Sequence, residues 1–190
     1  MELLKKRILE DGRVEEGNIL KVDNFLNHQL DIELLDAIGK EFAKLFADLG
    51  ITRILTIEAS GIAIASLTAL QMKVPVVFAK KTQSRNLDKD TWDAEVFSFT
   101  KDTTYSVRVS KRYMDSNDKV LIIDDFLANG QACVGLKKIV ENAGAELMGV
   151  GIVIEKSFQK GASILEEAGV NLKSLARLAS IHDGQIEFVD

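Results

Sequence analysis

Val120-Leu121-Ile122-Ile123-Asp124-Asp125-Phe126-Leu127-Ala128-Asn129-Gly130-Gln131-Ala132 decides the fold of this chain. Four aliphatic residues run into two adjacent carboxylates, then a turn of small residues, then a helical pattern. Such an apolar run reads as a buried strand, and in open α/β sheets ligands bind at the C-terminal end of the strands. That end here delivers two acids and a glycine loop to one spot. Small residues ahead of a helix expose backbone N–H groups, which with the helix dipole attract phosphate. Gly130 permits the positive φ that an anion nest needs. Asp124 and Asp125 can accept hydrogen bonds from vicinal sugar hydroxyls, or help hold Mg²⁺ through oxygen ligands. The plainer alternatives are a metal site, or a strand–turn–helix with a solvated acidic tip.

The rest of the composition narrows the class. A length of 190 residues suits a single domain, 1–190, and 46% hydrophobic residues suffice for a full core. A net charge of −5 and a pI near 5.2 argue against nucleic acid as a partner. One cysteine, Cys133, excludes a disulfide framework and reads as core in the helix after the loop. No apolar run reaches the ~20 residues of a membrane helix, and Met1–Glu10 lacks a signal-peptide core. A cytoplasmic protein with no membrane partner is the expectation.

Outward from the motif, strands and helices alternate, which predicts a parallel sheet. Met1–Leu9 reads as a short helix. Asp31 is placed to cap a long one, with Leu34, Leu35, Ile38, Phe42, Leu45, Phe46 and Leu49 at helical spacing and Gly50 as its end. Arg53–Ile57 is a strand, followed by the turn Glu58-Ala59-Ser60-Gly61 and a helix over Ile62–Gln71. Val74–Ala79 is the next strand, ending in Lys80-Lys81. Ala94–Thr100 and Thr104–Ser110 read as a hairpin around Lys101-Asp102-Thr103. Lys119–Ile123 is the motif strand, Gln131–Ala143 its helix, Leu147–Glu155 a further buried strand and Gly161–Ala168 a helix. Two short strands flank Asp183-Gly184. Gly17–Leu30 fits no clean helix or strand. Gly149-Val150-Gly151 lies inside a strand and lacks the third glycine of a dinucleotide fingerprint. Glu58 stands where a nucleophile elbow needs glycine.

The motif resembles the phosphoribosyl pyrophosphate (PRPP) site of the type I phosphoribosyltransferases. The resemblance implies an α/β fold: a parallel sheet flanked by helices, with a small hood for the base. The hood would come from about residues 1–30 and the C-terminal segment, and a flexible loop would lie within 80–118. It implies that Asp124 and Asp125 serve the ribose hydroxyls and that Ala128, Asn129, Gly130, Gln131 and Ala132 bind the 5′-phosphate. The turn containing Ser60, with Lys81, would hold pyrophosphate, and Mg²⁺ would arrive with PRPP rather than on a metal site of the protein. A homodimer is implied. Among Lys101, Thr104, Tyr105 and Ser106, the contact to substrate stays open. Asn129 and Ala132 depart from the family's usual hydroxyl residues, which leaves phosphate binding to backbone N–H groups and the Asn129 side chain.

Glu155-Lys156-Ser157-Phe158 stands where 6-oxopurine members carry a lysine that donates to the 6-oxo oxygen. The amide-rich segment Gly17–Leu30 resembles the base-covering hood of the bacterial xanthine phosphoribosyltransferases, a resemblance covering essentially the whole chain. It implies that Leu20, Asn27 and Lys156 contact xanthine. Asn27 can present an N–H donor to xanthine's 2-oxo group, where guanine has a donor of its own; the alternative is an Asx-turn residue. The implied activity is purine salvage, from xanthine and PRPP to xanthosine 5′-monophosphate and pyrophosphate. Alternatives are a guanine-, hypoxanthine- or adenine-preferring relative, or a PRPP-sensing regulator. His28 and His182 read as structural.

Overall fold

The computed structural model describes residues 1–16, 19–81, 88–98, 102–182 and 184–189. The chain opens with α1 (Glu2–Asp11), β1 (Arg13–Glu15), β2 (Ile19–Lys21) and α2 (Ile32–Leu45). Next come β3 (Arg53–Ile57), α3 (Gly61–Met72) and β4 (Val76–Ala79), then the hairpin β5 (Thr91–Ser98) and β6 (Thr103–Ser110). The second half holds β7 (Lys119–Leu127), α4 (Gln131–Asn142), β8 (Glu146–Lys156), α5 (Gly161–Glu167), β9 (Leu172–His182) and β10 (Gln185–Phe188).

Six strands form the main sheet in the order β10-β9-β8-β7-β3-β4, parallel except for β10 against β9. From the central pair the chain winds outward in both directions: β3 crosses to β4 on one side, β7 to β8 on the other. Right-handed crossovers then put their helices on opposite faces. One apolar cluster accordingly joins the sheet to α1, α2 and α3 through Leu4, Phe42 and Ile64, and a second joins it to α4 and α5 through Leu136 and Leu165. Each fully buried side chain of this size contributes roughly 1.5–3 kcal/mol.

Local chemistry sets the boundaries. Asp31 accepts a hydrogen bond from Leu34 N at 3.1 Å and caps α2, a contact worth about 1 kcal/mol. Gly50, at φ 63°, closes the 3₁₀ turn that follows α2. Gly149 and Gly151 answer to packing: a Cβ there would meet Phe46 at 2.6 Å and Phe42 at 2.8 Å. That double glycine lets two α2 aromatics seat on the sheet.

Four expectations change. The motif strand runs to Leu127, four residues past Ile123, because β8 continues to pair with it through Leu127↔Glu155. Residues 19–27 are ordered as β2 and a π-helical turn, Asp23–Asn27; β2 pairs with β1, which hydropathy does not reveal in strands of three residues. Of the two short C-terminal strands expected, the first is β9, eleven residues long, and Leu172–Leu178 pairs parallel to β8. Val74 and Pro75 precede β4 rather than opening it. Gly17, Asn18, Thr100, Lys101 and Asp183 lie outside the described residues.

Candidate active site

β3 pairs with β7 only as far as Leu55↔Ile122. Beyond Ile122, β7 keeps β8 on one side and leaves β3 on the other. The sheet therefore opens at the C-terminal ends of its two central strands, where the winding direction reverses. This is the crevice in which doubly wound sheets bind ligands. Along β7, Ile123 and Phe126 pack toward one face, Ile122 and Leu127 toward the other. Strict two-residue alternation thus slips across Asp124-Asp125, which Ile123 separates from the end of the pairing with β3 at Ile122.

Asp124 is buried, while Asp125 is partly exposed and donates its N–H to Asp124 Oδ1 at 3.0 Å. Burial, then the neighbouring Asp125 charge, pushes the Asp124 carboxyl well above the ordinary carboxylate range, with Lys81 pulling the other way. The start of α3 reaches the same spot. A Cβ on Gly61 would lie 2.1 Å from Thr56 Oγ1 and 3.3 Å from Asp124 Oδ1. The Thr56 hydroxyl is buried and finds no hydrogen-bond partner among the described residues. Ser60 precedes α3 and makes no side-chain cap, and Ile62 N turns back to donate to Ala59 O at 3.2 Å. Lys81 N donates to Glu58 Oε1 at 2.6 Å. Lys81 Nζ lies 5.7 Å from the Tyr105 ring centre. Turn 58–61, Lys81, Tyr105 and Asp124 thus form one neighbourhood.

The small-residue loop follows. Gly130 has φ 79° and precedes α4, as the anion-nest reading requires. A cavity of about 210 Å³ is lined by Ala128–Ala132 together with Phe126, Val96, Phe97 and Tyr105. The hairpin thus walls the loop, and of the candidates within the described residues, Thr104, Tyr105 and Ser106, Tyr105 lines this cavity. Burial, then the charge of Asp124, raises the pKa of Tyr105. Cys133 is buried in α4, its thiol pushed well up by burial and the two aspartates; it is core, as its position in the sequence implied. A larger hollow, about 400 Å³, lies outside β4 and β6 beside Arg53, Phe78 and Arg112. It shares no residue with the loop, so size alone does not select the site.

The next strand end carries Lys156, half-buried, with Nζ 5.8 Å from the Phe126 ring centre. Burial lowers its pKa. The neighbouring Glu155 is buried on β8 and accepts from Ser157 Oγ, Ser174 Oγ and Arg177 Nε. Burial pushes that carboxyl up, but the three donors outweigh it and hold it below its usual range. Phe158 is exposed. Leu20 is buried in the α1–α2–α3 cluster, so its side chain is core. Asn27 ends the π-helical turn and is exposed. Among the described residues, no side-chain hydrogen bond joins Asn27 or Leu20 to Lys156. The geometry brings together the acids, Ser60, Lys81, the loop and, through Phe126, Lys156. Leu20 and Asn27 lie on the N-terminal segment, in β2 and at the end of the π-helical turn.

Glu58, Thr56 and Phe126 were missed as contributors. Phe126 had a signal: it lies between the acids and the loop, and it belongs to the strand once β7 is extended. Glu58 and Thr56 had none, because their contacts are made across the chain.

Comparison with known proteins bears on the same residues. The phosphoribosyl transferase domain model matches residues 22–168. A xanthine phosphoribosyltransferase of Ruminiclostridium cellulolyticum is 59% identical over 190 residues, 100% of both chains. One from Clostridium novyi is 59% identical over 99% of both. Among solved structures, APRTase from Giardia lamblia superposes with TM-score 0.78 at 21% identity, covering 92% of this chain and 97% of the other. Adenine phosphoribosyltransferase from Rhodothermus marinus gives 0.76 at 21%, covering 94% and 100%. These two share the fold; the family model and the full-length relatives go further, and on them the chain belongs to the phosphoribosyltransferase family.

Proposed function

We propose that this chain is a purine-salvage enzyme that joins xanthine to the ribosyl phosphate of PRPP, releasing pyrophosphate. The observation that carries the reading is the meeting of an acid pair, Asp124 buried and Asp125 partly exposed, with a positive-φ glycine loop where the sheet opens. A cation, Lys156, ends the adjacent strand. Full-length relatives at 59% identity support xanthine as the base.

In this reading the C1′–oxygen bond to pyrophosphate breaks, N9 of the purine bonds to C1′, and the N9 proton is lost. No protein nucleophile is required. The protein positions the reactants and stabilises charge. Asp124 and Asp125 hold the ribose hydroxyls, and loop 128–132 takes the 5′-phosphate through backbone N–H groups. The Ser60 turn and Lys81 hold the departing pyrophosphate. Tyr105 and its hairpin shield the ribosyl cation from water. Lys156 donates to the 6-oxo oxygen, favouring an oxo group over adenine's amino donor, and Asn27 donates to the 2-oxo oxygen. Two successive carboxylates suit Mg²⁺, which binds through a carboxylate or two plus substrate phosphates. Bound with PRPP, Mg²⁺ would neutralise the leaving group.

The working form we propose is a cytoplasmic homodimer. Among the described residues, no helix is long and apolar enough to cross a membrane. One spectrophotometric assay tests the reading: PRPP with xanthine, guanine, hypoxanthine and adenine in parallel. Xanthine should turn over fastest and adenine not at all; adenine turnover equal to xanthine's would overturn the base assignment.

A further inference from the structure

The phosphate loop is supported from behind by a residue outside the motif. Residues 156–161 connect the strand end carrying Lys156 to α5. The connection is pinned to β9 where Ser157 N donates to Leu178 O at 2.9 Å, and it turns where Gln159 N donates to Lys156 O at 2.9 Å. At its far end Gly161 N donates to Ala128 O at 2.9 Å. Gly161 is buried and does not line the cavity. Its approach to the loop is one that only glycines permit. A Cβ on Gly161 would lie 2.4 Å from Ala128 O and 2.8 Å from Gly130 N, and a Cβ on Gly130 would lie 3.0 Å from Gly161 Cα. Both contacts of the Gly161 Cβ are with backbone, which has little freedom to move aside.

We propose that Gly161 is a positioning residue for the 5′-phosphate. It sets where the backbone of Ala128–Ala132 stands, and the loop presents its N–H groups correctly only while position 161 carries no side chain. The inference rests on the reading of that loop as the phosphate site. Real Cβ contacts essentially never fall under 3.0 Å, so alanine at 161 must displace the loop or α5. Helix propensity points the other way, because alanine is the better helix former in α5. A loss caused by Gly161→Ala is therefore not a loss of helix. Displacing a positioned binding group by a fraction of an ångström to an ångström costs about tenfold to a hundredfold.

The test is a calorimetric titration of wild type and Gly161→Ala with ribose 5-phosphate, with thermal unfolding to show that the variant is folded. Ribose 5-phosphate should bind the variant about tenfold to a hundredfold more weakly. In turnover assays the KM for PRPP should rise while that for xanthine holds. An affinity for ribose 5-phosphate within about twofold of wild type would overturn the positioning role. Hydrogen exchange on the wild type decides the matter should the variant fail to fold. Ribose 5-phosphate should slow exchange at residues 128–132 and at the Gly161 amide together; protection of the loop with no change at Gly161 would overturn the proposal. A wild type that does not bind ribose 5-phosphate at all would instead overturn the phosphate reading of the loop, and the inference with it.

Discussion

Asp124 is held where its charge is disfavoured, and the chemistry assigned to it depends on what relieves that. Its carboxyl sits against the start of α3, beside Asp125 and the buried Thr56 hydroxyl. The folded protein keeps a proton that the unfolded chain loses near 3.8. The stability of the neutral form is thus complete below that value and is lost as pH rises through the raised folded pKa. Asp124→Asn should flatten this decline and raise Tm at neutral pH; melting curves from pH 3 to 8 check it. Glu155 has the opposite sign: its pKa is lowered in the fold, so its contribution is present above the ordinary value and lost as pH falls. Activity should move against stability at the acid pair. The Asp124→Asn, Asp125→Asn double variant should lose most turnover while remaining folded, and near-normal turnover with PRPP would remove the pair from the mechanism. Lys156 lends itself to a magnitude. A hydrogen bond from a charged donor is worth about 1.5–3 kcal/mol, so Lys156→Ala should lower kcat/KM for xanthine by roughly tenfold to a few hundredfold.

At the scale of elements, the site is made by three strand ends and the turns that leave them. β3 hands over to α3 through the 58–61 turn, β7 to α4 through the glycine loop, and β8 to α5 through residues 156–161. Each handover is a close approach. At the first, a Cβ on Gly61 would lie 2.1 Å from the Thr56 hydroxyl. Gly61→Ala should therefore destabilise the start of α3 and weaken PRPP binding, and Thr56→Ala should recover part of both. Coupling between such touching residues runs to about 0.5–3 kcal/mol. Additive losses in a double-mutant cycle of Tm and KM for PRPP would show that the two positions do not act through one another. The sequence located β3, α3, α4 and α5 to within a residue or two because turn residues bound each apolar stretch. It stopped β7 four residues early, since two aspartates resemble a strand's end. Only pairing with β8 shows that the strand continues beneath them.

Across the whole molecule, the base recognition proposed above is the role most spread out. Lys156 stands on the sheet, whereas Asn27 belongs to an N-terminal segment whose Phe25 and Leu26 are buried against α1 and α2. Arg7 binds this layer together, reaching Asp11 and Asp31 at 3.1 Å each. Base preference should respond to this segment without collapse of the fold. A donor facing the 2-position satisfies xanthine and opposes guanine, and such a mismatch costs about 1–3 kcal/mol. Asn27→Ala should lower kcat/KM for xanthine more than for guanine, by roughly one order of magnitude. An unchanged ratio would move recognition of the 2-position to backbone groups near Leu20.

The sequence by itself determined the alternation of strands and helices and the place of the candidate site within it. An apolar run, an acid pair, a glycine loop and alternating periods sufficed for a parallel sheet with its site at the strand ends, because burial and φ/ψ limits act locally and leave a local record. Gly130 is the clearest case: its positive φ was required by the turn before any neighbour was known. Tertiary structure alone decided how deep each acid sits, that Tyr105 faces the loop, that Leu20 is core and that Gly161 packs against Ala128 and Gly130. Those outcomes depend on contacts between residues far apart in the chain, which leave no period in the sequence. Desolvation of Asp124, for example, follows from α3 closing over it, and nothing in Asp124-Asp125 itself distinguishes the buried carboxyl from the open one.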